Sequence, residues 1–268
     1  MVFFLPYWLL ATGYCLLIRY DVVAEPTLKF VRGVVIVPAF NEAGSIVRVV
    51  EDVRRAVPEF DVVVVDDGST DATASIVPGW ATVISLPFNL GIGGAMQTGY
   101  RFAAEHGYDI AVQVDGDGQH PPSEIAGLVE TLRESDADMV IGSRFLERGR
   151  YRQSAARAAG SRLLRVLLRI LTGRTYTDCT SGFRAVNRRV ILAFSHWYPD
   201  DYPEPEVVLL LHRAGFRVAE TSVGMHQRVS GRSSIPLGRG LYYVLKVAVA
   251  LLLDTARQPW PQGRVGAV

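Results

Sequence analysis

Ile110-Ala111-Val112-Gln113-Val114-Asp115-Gly116-Asp117-Gly118-Gln119-His120-Pro121-Pro122 is the stretch that decides how this chain is read. A short apolar run, Ile110 to Val114, opens directly onto Asp115 and Asp117. An amide and an imidazole follow, and Pro121 and Pro122 stop the strand. A continuous apolar run of this kind fits a strand buried on both faces, as in a parallel sheet covered by helices. Oxygen ligands clustered at the end of such a strand suit a hard divalent cation, and such a cation commonly holds a diphosphate.

The same grammar extends outward. Gly33 to Val37 is an apolar strand ended by Pro38, and a helical pattern runs from Ala43 to Val57. Asp61 to Asp66 is a second strand, after which Ser69 and Asp71 can cap a following helix. Ala81 to Leu86 reads as a third strand and Met96 to His106 as a helix. Ser123 to Glu134 reads as another helix, and Asp138 to Gly142 as a fifth strand. Strands alternating with helices predict an α/β fold with a mostly parallel central sheet. Ligands of such sheets bind beyond the carboxyl ends of the strands. Asn41, Glu42, Asp66, Asp67, Asn89, Asp115, Asp117, Ser143 and Arg144 all fall there.

Composition sets the outer bounds. The chain has 268 residues, 49% of them apolar, enough for one large domain with appendages. A net charge of +1 excludes a global basic field for nucleic acid. Lysine occurs only at Lys29 and Lys246, while arginines cluster between Arg144 and Arg189. That cluster can meet phosphates or anionic lipid heads, or it can be a solvated surface. Cys15 and Cys179 form no disulfide framework and read as reduced thiols of a cytosolic protein.

Three segments are expected: an apolar stretch over 1–31, a catalytic domain over 32–235, and an apolar helix with a tail over 236–268. Phe3 to Ile18 is too short to span and lacks the basic region of a secretory signal. It is either a membrane-contacting segment or an upstream extension. Ala155 to Leu171 places Arg162, Arg165 and Arg169 on one helical face, with Leu163, Leu164, Leu167, Leu168 and Leu171 filling much of the rest. This describes a basic amphipathic helix on anionic membrane, or a core helix with a solvated arginine stripe. Leu241 to Leu253, apolar apart from Lys246, reads as an interfacial or packing helix.

The loops carry the chemistry. In Val37-Pro38-Ala39-Phe40-Asn41-Glu42, Phe40 offers an aromatic face and Glu42 an acceptor for a base or ribose. In Val65-Asp66-Asp67-Gly68-Ser69, Asp67 can accept from a base N–H or a ribose hydroxyl, and Gly68 permits close backbone approach. Pro87-Phe88-Asn89-Leu90-Gly91-Ile92-Gly93-Gly94 lacks the spacing of a dinucleotide fingerprint and the lysine of a Walker sequence. Close packing of a helix on the sheet is its better reading. Asp117 would ligate a metal directly, Gln119 would add a neutral oxygen, and Asp115 can ligate or reach the ribose.

Taken in order, Pro-Ala-Phe-Asn-Glu, Val-Asp-Asp-Gly-Ser-Thr-Asp, Asn-Leu-Gly, Asp-Gly-Asp-Gly-Gln-His-Pro, Gly-Ser-Arg and Ser-Gly-Phe-Arg resemble family 2 glycosyltransferases with the GT-A fold. Within that family the chain looks most like the dolichyl- or polyprenyl-phosphate mannosyl- and glucosyltransferase branch. The resemblance covers about Val34 to Ile235. It implies a Rossmann-like sheet flanked by helices, with amphipathic C-terminal helices. It also implies that Pro38, Phe40, Glu42, Val65, Asp67, Asp115 and Gly116 hold the nucleotide sugar. Asp115, Asp117 and Gln119 would hold Mg²⁺ or Mn²⁺. Arg144 would meet phosphate through a charge-assisted fork, and Arg228 would close over the diphosphate. Ser181, Gly182, Phe183 and Arg184 would line the acceptor side.

The implied partners are a GDP- or UDP-linked sugar, a polyprenyl phosphate and a membrane surface, with a membrane-protein partner or a second copy as further candidates. The implied place is the cytoplasmic face of the cell membrane. An inverting transfer to a lipid phosphate needs no base, whereas a glycan hydroxyl needs one. Glu204 and Glu206 are the base candidates, or else acids favoured by a helix N-terminus. A third reading is a nucleotide-sugar-binding subunit that recruits a membrane partner.

Overall fold

The computed structural model describes residues 31–147, 155–201, 203–225 and 240–256. The apolar segment Phe3 to Ile18, and Arg228 with its neighbours, lie outside the described residues. The elements in chain order are β1 (Gly33–Ala39), α1 (Ile46–Ala56), β2 (Asp61–Asp66), β3 (Thr82–Ser85), α2 (Gly91–Glu105), β4 (Ile110–Gln113), α3 (Ile125–Glu134) and β5 (Met139–Ser143). There follow α4 (Ala155–Thr172), β6 (Arg184–Asn187), α5 (Arg188–His196), α6 (Pro203–Arg213), β7 (Val218–Ser222) and α7 (Gly240–Ala256).

The strands form a seven-stranded sheet in the order β3-β2-β1-β4-β6-β5-β7. All pairings are parallel except those of β6, which runs antiparallel to both β4 and β5. Alternation along each strand sorts side chains to the two faces. Val34 and Ile36 join Val63, Val65 and Ala111 in a core beneath α2, α4, α5, α6 and α7. Val35 and Val37 join Val62, Val64 and Val112 beneath α1 and α3. Both faces are covered, which is why the central strands read as unbroken apolar runs.

Chain order reverses between β1 and β4: the chain builds outward through β2 and β3, then returns to the other side of β1. In open α/β sheets ligands bind in the crevice beyond the carboxyl ends of the strands at such a reversal, here those of β1 and β4.

The structure departs from the sequence expectations at several points. Pro38 does not end β1; the strand continues to Ala39. The chain after β4 stays alongside it, with Gly116 N–H donating to Pro38 O at 3.3 Å, so Pro38 sits in the strand with its carbonyl paired and only its own donor missing. The helix expected after Ser69 and Asp71 is one 3-10 turn, Ala74–Ile76. Those side chains are spent elsewhere: Ser69 Oγ accepts from the Asn41 amide, and Asp71 accepts from the amides of Ala43 and Thr73. Helix α2 begins inside the glycine-rich stretch, at Gly91.

Within the glycine-rich stretch the close contact is with a loop rather than the sheet, and the tight helix–sheet approach falls further along α2 at Gly99. A Cβ on Gly99 would lie 2.3 Å from Ile36 Cγ2, and one on Gly93 would lie 2.1 Å from the Pro199 carbonyl oxygen. On α4, Leu164 and Leu168 enter the core while Leu163 stays exposed.

Candidate active site

The acidic loop lies across the end of β1. Val114 N–H donates to Ile36 O at 3.0 Å and Gly116 N–H to Pro38 O at 3.3 Å, which carries the ladder one step past β4. A Cβ at Gly116 would sit 3.1 Å from that Pro38 oxygen, so the close approach favours glycine. Gly118 adopts φ +76°, letting the chain turn so that Gln119 N–H donates to Asp117 Oδ1 at 2.9 Å.

His120 closes the loop. Its Nδ1 accepts from the Asp115 amide at 3.1 Å, and its Nε2 lies 3.6 Å from Asp115 Oδ2. The buried ring stacks on Phe183 at 4.9 Å and 11°. Asp115 Oδ1 also accepts from Gln113 Nε2 at 3.3 Å, leaving its side chain 37% exposed beside the buried Asp117.

Among the described residues, no group of three or more His, Cys, Asp or Glu side chains is arranged to hold a metal. The donor set at the loop is two carboxylates with the Gln119 amide beside them. That set is all hard oxygen and incomplete by itself, which suits a cation that also takes phosphate oxygens from a substrate.

Two neighbouring loops are clasped together. Asn41, at φ 56°, accepts from Thr70 N–H at 2.9 Å, and Glu42 N–H donates to Thr73 Oγ1 at 2.8 Å. Phe40 stands exposed at the rim, while Pro38 and Val65 are buried register partners in β1 and β2. Asp67 is committed more than the sequence suggests: its two oxygens accept the Leu90 and Gly91 amides at 2.7 and 2.9 Å. Burial pushes its carboxyl above the usual range, an effect the two amides only partly offset. It therefore fixes the start of α2 against the end of β2.

Across the crevice the positive groups are braced. Arg144 leaves β5 and donates from Nε and Nη2 to Asp178 at 2.6 and 2.7 Å, and from Nη2 to Thr180 Oγ1 at 2.9 Å. The fork expected to grip phosphate is thus taken by a fully buried aspartate. Asp178 is placed in turn by Glu220 of β7, which accepts from the amides of Thr177 and Asp178 at 2.8 Å.

The acceptor-side expectation divides. Gly182 lies against the acidic loop, where a Cβ would meet Gln113 Nε2 at 2.9 Å and Asp115 Oδ1 at 3.3 Å. Ser181 beside it is buried. Phe183 and Arg184 are buried as β6 begins. Arg184 is 1% exposed, donates to the carbonyls of Ser181 and Glu204 at 2.8 and 2.7 Å, and keeps Nη1 without a partner.

Glu204 and Glu206 both fall on the first turn of α6, and Glu206 is buried. Burial raises the Glu204 carboxyl; Arg184 opposes this, Asp115 adds to it and Arg144 opposes it. Glu204 thus shares the field of the acidic loop. Cys179 is buried, and its thiol is pushed up to about 12, first by burial and then by Asp178, which removes it as a nucleophile.

Sequence reasoning missed Gln113, Asp178 and Glu220, and it quoted His120 without a role. His120 was legible as part of the acidic motif. Asp178 and Glu220 carry no local signal, because their partners come from distant elements.

Comparison with known proteins adds to this geometry. Residues 34–193 match the family model described as Glycosyl transferase family 2. A polyprenol monophosphomannose synthase of Mycolicibacterium smegmatis is 30% identical, covering 84% of this chain and 90% of that protein. An undecaprenyl-phosphate mannosyltransferase of Micrococcus luteus is 32% identical, covering 77% and 88%. The crystal structure of glucosyl-3-phosphoglycerate synthase from Mycobacterium tuberculosis, in complex with Mn²⁺, UDP and glucosyl-3-phosphoglycerate, superposes with a TM-score of 0.65. It is 23% identical and covers 83% of this chain and 79% of that one, a likeness of fold.

Proposed function

Because the chain belongs to glycosyl transferase family 2, we propose that it moves a sugar from a nucleoside diphosphate onto a polyprenyl phosphate at the inner face of the cell membrane. Its relatives named for polyprenol and undecaprenyl phosphate support that acceptor. The observation that carries the reading is the acidic loop drawn over the end of β1 with Gly182 pressed against Asp115. On this reading Gly182 would mark the acceptor side, and the contact would bring it to the carboxylates that meet the donor.

Phe40 would stack on the base, and Glu42, above the Pro38 and Val65 floor, would accept from the nucleoside. Asp115, Asp117 and Gln119 would hold Mg²⁺ or Mn²⁺, whose charge offsets that of the departing diphosphate. A lipid phosphate oxygen attacks the anomeric carbon as the bond from that carbon to the diphosphate oxygen breaks, inverting the centre. The nucleophile arrives as an anion, so no proton has to be removed. Arg144, its fork held by Asp178, contributes positive charge at the end of β5 rather than a bidentate grip.

The raised Glu204 carboxyl favours a second reading, in which Glu204 takes the proton of a hydroxyl acceptor.

The test is a panel of labelled nucleotide sugars incubated with membranes, scoring label that enters the organic phase. One sugar should enter, and Asp117→Ala should lower its transfer by a factor on the order of 10²–10³, the scale of losing a key transition-state charge contact. Unchanged transfer would sink the site assignment. Label in a water-soluble glycan, lost in Glu204→Gln, would favour the hydroxyl reading.

A further inference from the structure

Strand β7 is an edge of the sheet, where an inward charge often does no more than discourage pairing with another chain. Glu220 does more. It is half-buried, opposite Ile141 in the register, and its two oxygens gather the donors of one short segment. Oε2 accepts from Thr177 N–H at 2.8 Å. Oε1 accepts from Asp178 N–H at 2.8 Å and from the Thr177 hydroxyl at 3.0 Å.

Two lines of hydrogen bonds run from this carboxylate to Arg144. In the first, the Thr177 hydroxyl proton is spent on Glu220, so Ser143 Oγ, 2.6 Å away, donates to Thr177 Oγ1. Ser143 Oγ in turn accepts the Phe145 amide at 3.2 Å. This line ends on the two residues that flank Arg144. The second line runs through Asp178, which takes the Arg144 amide at 3.1 Å together with the guanidinium fork at 2.6 and 2.7 Å. One side chain on β7 thus sets both the backbone and the head group of Arg144. That head group belongs to the site, since its charge and that of Asp115 both act on the Glu204 carboxyl.

We infer that Glu220 is a positioning residue of the reaction: through Thr177 and Asp178 it aims Arg144 at a phosphate bound beyond the end of β5. A cation held in place costs no reorganisation at the moment charge develops, which is where a fixed charge helps most. The inference rests on the proposed sugar transfer. The phosphate is either the diphosphate of the donor or that of the lipid, and the experiment separates the two.

The test is a cycle of Glu220→Gln, Arg144→Gln and the double variant. Each is assayed for transfer of labelled sugar to a prenyl phosphate and for hydrolysis of the nucleotide sugar without it. Glutamine at 220 keeps an oxygen for the Asp178 amide, and at 144 it keeps a donor for Asp178. Glu220→Gln should lower kcat about 10- to 100-fold, the scale for outer groups that orient a charged site, and should change the KM for the donor less than kcat. In the Arg144→Gln background the same change should cost less than about twofold, because groups acting as a unit are not additive. Thr177→Val removes only the first line and should give a smaller loss of kcat. It decides the matter alone if the glutamine variants fold poorly. Transfer lost with hydrolysis unchanged would assign Arg144 to the lipid phosphate, and loss of both to the diphosphate.

Equal losses in the two backgrounds would overturn the inference and leave Glu220 a guard of the sheet edge, as would an unchanged kcat in Glu220→Gln or, where that variant does not fold, in Thr177→Val. A wild type that hydrolyses a nucleotide sugar but transfers to no prenyl phosphate would sink the proposed acceptor, and the cycle would then be decided on hydrolysis.

Discussion

Between Gly33 and Glu134 the buried acids are met mainly by main-chain amides; between Asp138 and Ser222 guanidinium groups join the amides. In the first region Asp67 takes the amides that open α2, and Asp117 takes the amide of Gln119. In the second, Asp178 takes Arg144, and Asp138 takes Arg189 at 2.7 Å along with the side chain of Asn187. An amide is delivered by the backbone and survives every substitution except proline. A guanidinium can be lost, and its absence strands a charge in the interior. The first region should therefore be sensitive to space and the second to charge.

The sharpest way to break this contrast is Asp178→Ala. It would leave Arg144 largely buried without its fork, and loss of one partner of a buried pair costs about 3–5 kcal/mol. Urea unfolding should show that loss, with Asp178→Asn less affected. A cost below about 1 kcal/mol, the value typical of a surface pair, would place the second region on the same footing as the first.

Next in size is Gly99→Ala, whose methyl would meet Ile36 at the centre of the sheet and should destabilise by about 1–3 kcal/mol. Gly127→Ala on α3 makes the matched control. Nothing lies within 4 Å of its added carbon, so helix propensity alone should raise stability by up to about 1 kcal/mol. Opposite signs for the two alanines in the same unfolding assay would support the spatial account.

The smallest effect concerns Glu204, whose carboxyl is raised in the folded chain, first by burial. As pH climbs from the usual glutamate range, the unfolded chain ionises first, and the native state loses relative stability until its own raised value is passed. Gln carries no such penalty. The melting temperature of Glu204→Gln minus that of the wild type should thus grow with pH and then level off. A difference that does not change with pH would remove the desolvated carboxyl from the account.

The same divide marks what could be read from residues alone. Strands β1, β2, β4 and β5 were legible because burial on both faces writes itself as an unbroken apolar run. Strand β6 was not: Arg184-Ala185-Val186-Asn187 starts on an arginine and ends on an asparagine, and its burial depends on carbonyls from a loop and from α6. Strand β7 is half-buried at the sheet edge and lacks any such run. In the site, the acidic loop was legible because its partners lie within a few residues. The fate of Arg144 was not, because Asp178 sits 34 positions away.

The place of β5 has a consequence for how the chain is made. Its hydrogen-bonding neighbours on both sides, β6 and β7, are synthesised after it. A ribosome that has delivered β1 to β4 has supplied strands that already pair with one another. Met139-Val140-Ile141 then emerges with both edges open and must wait for Arg184 and Val218. During synthesis this is the segment most exposed to wrong pairing, and the one that most needs a chaperone's cover.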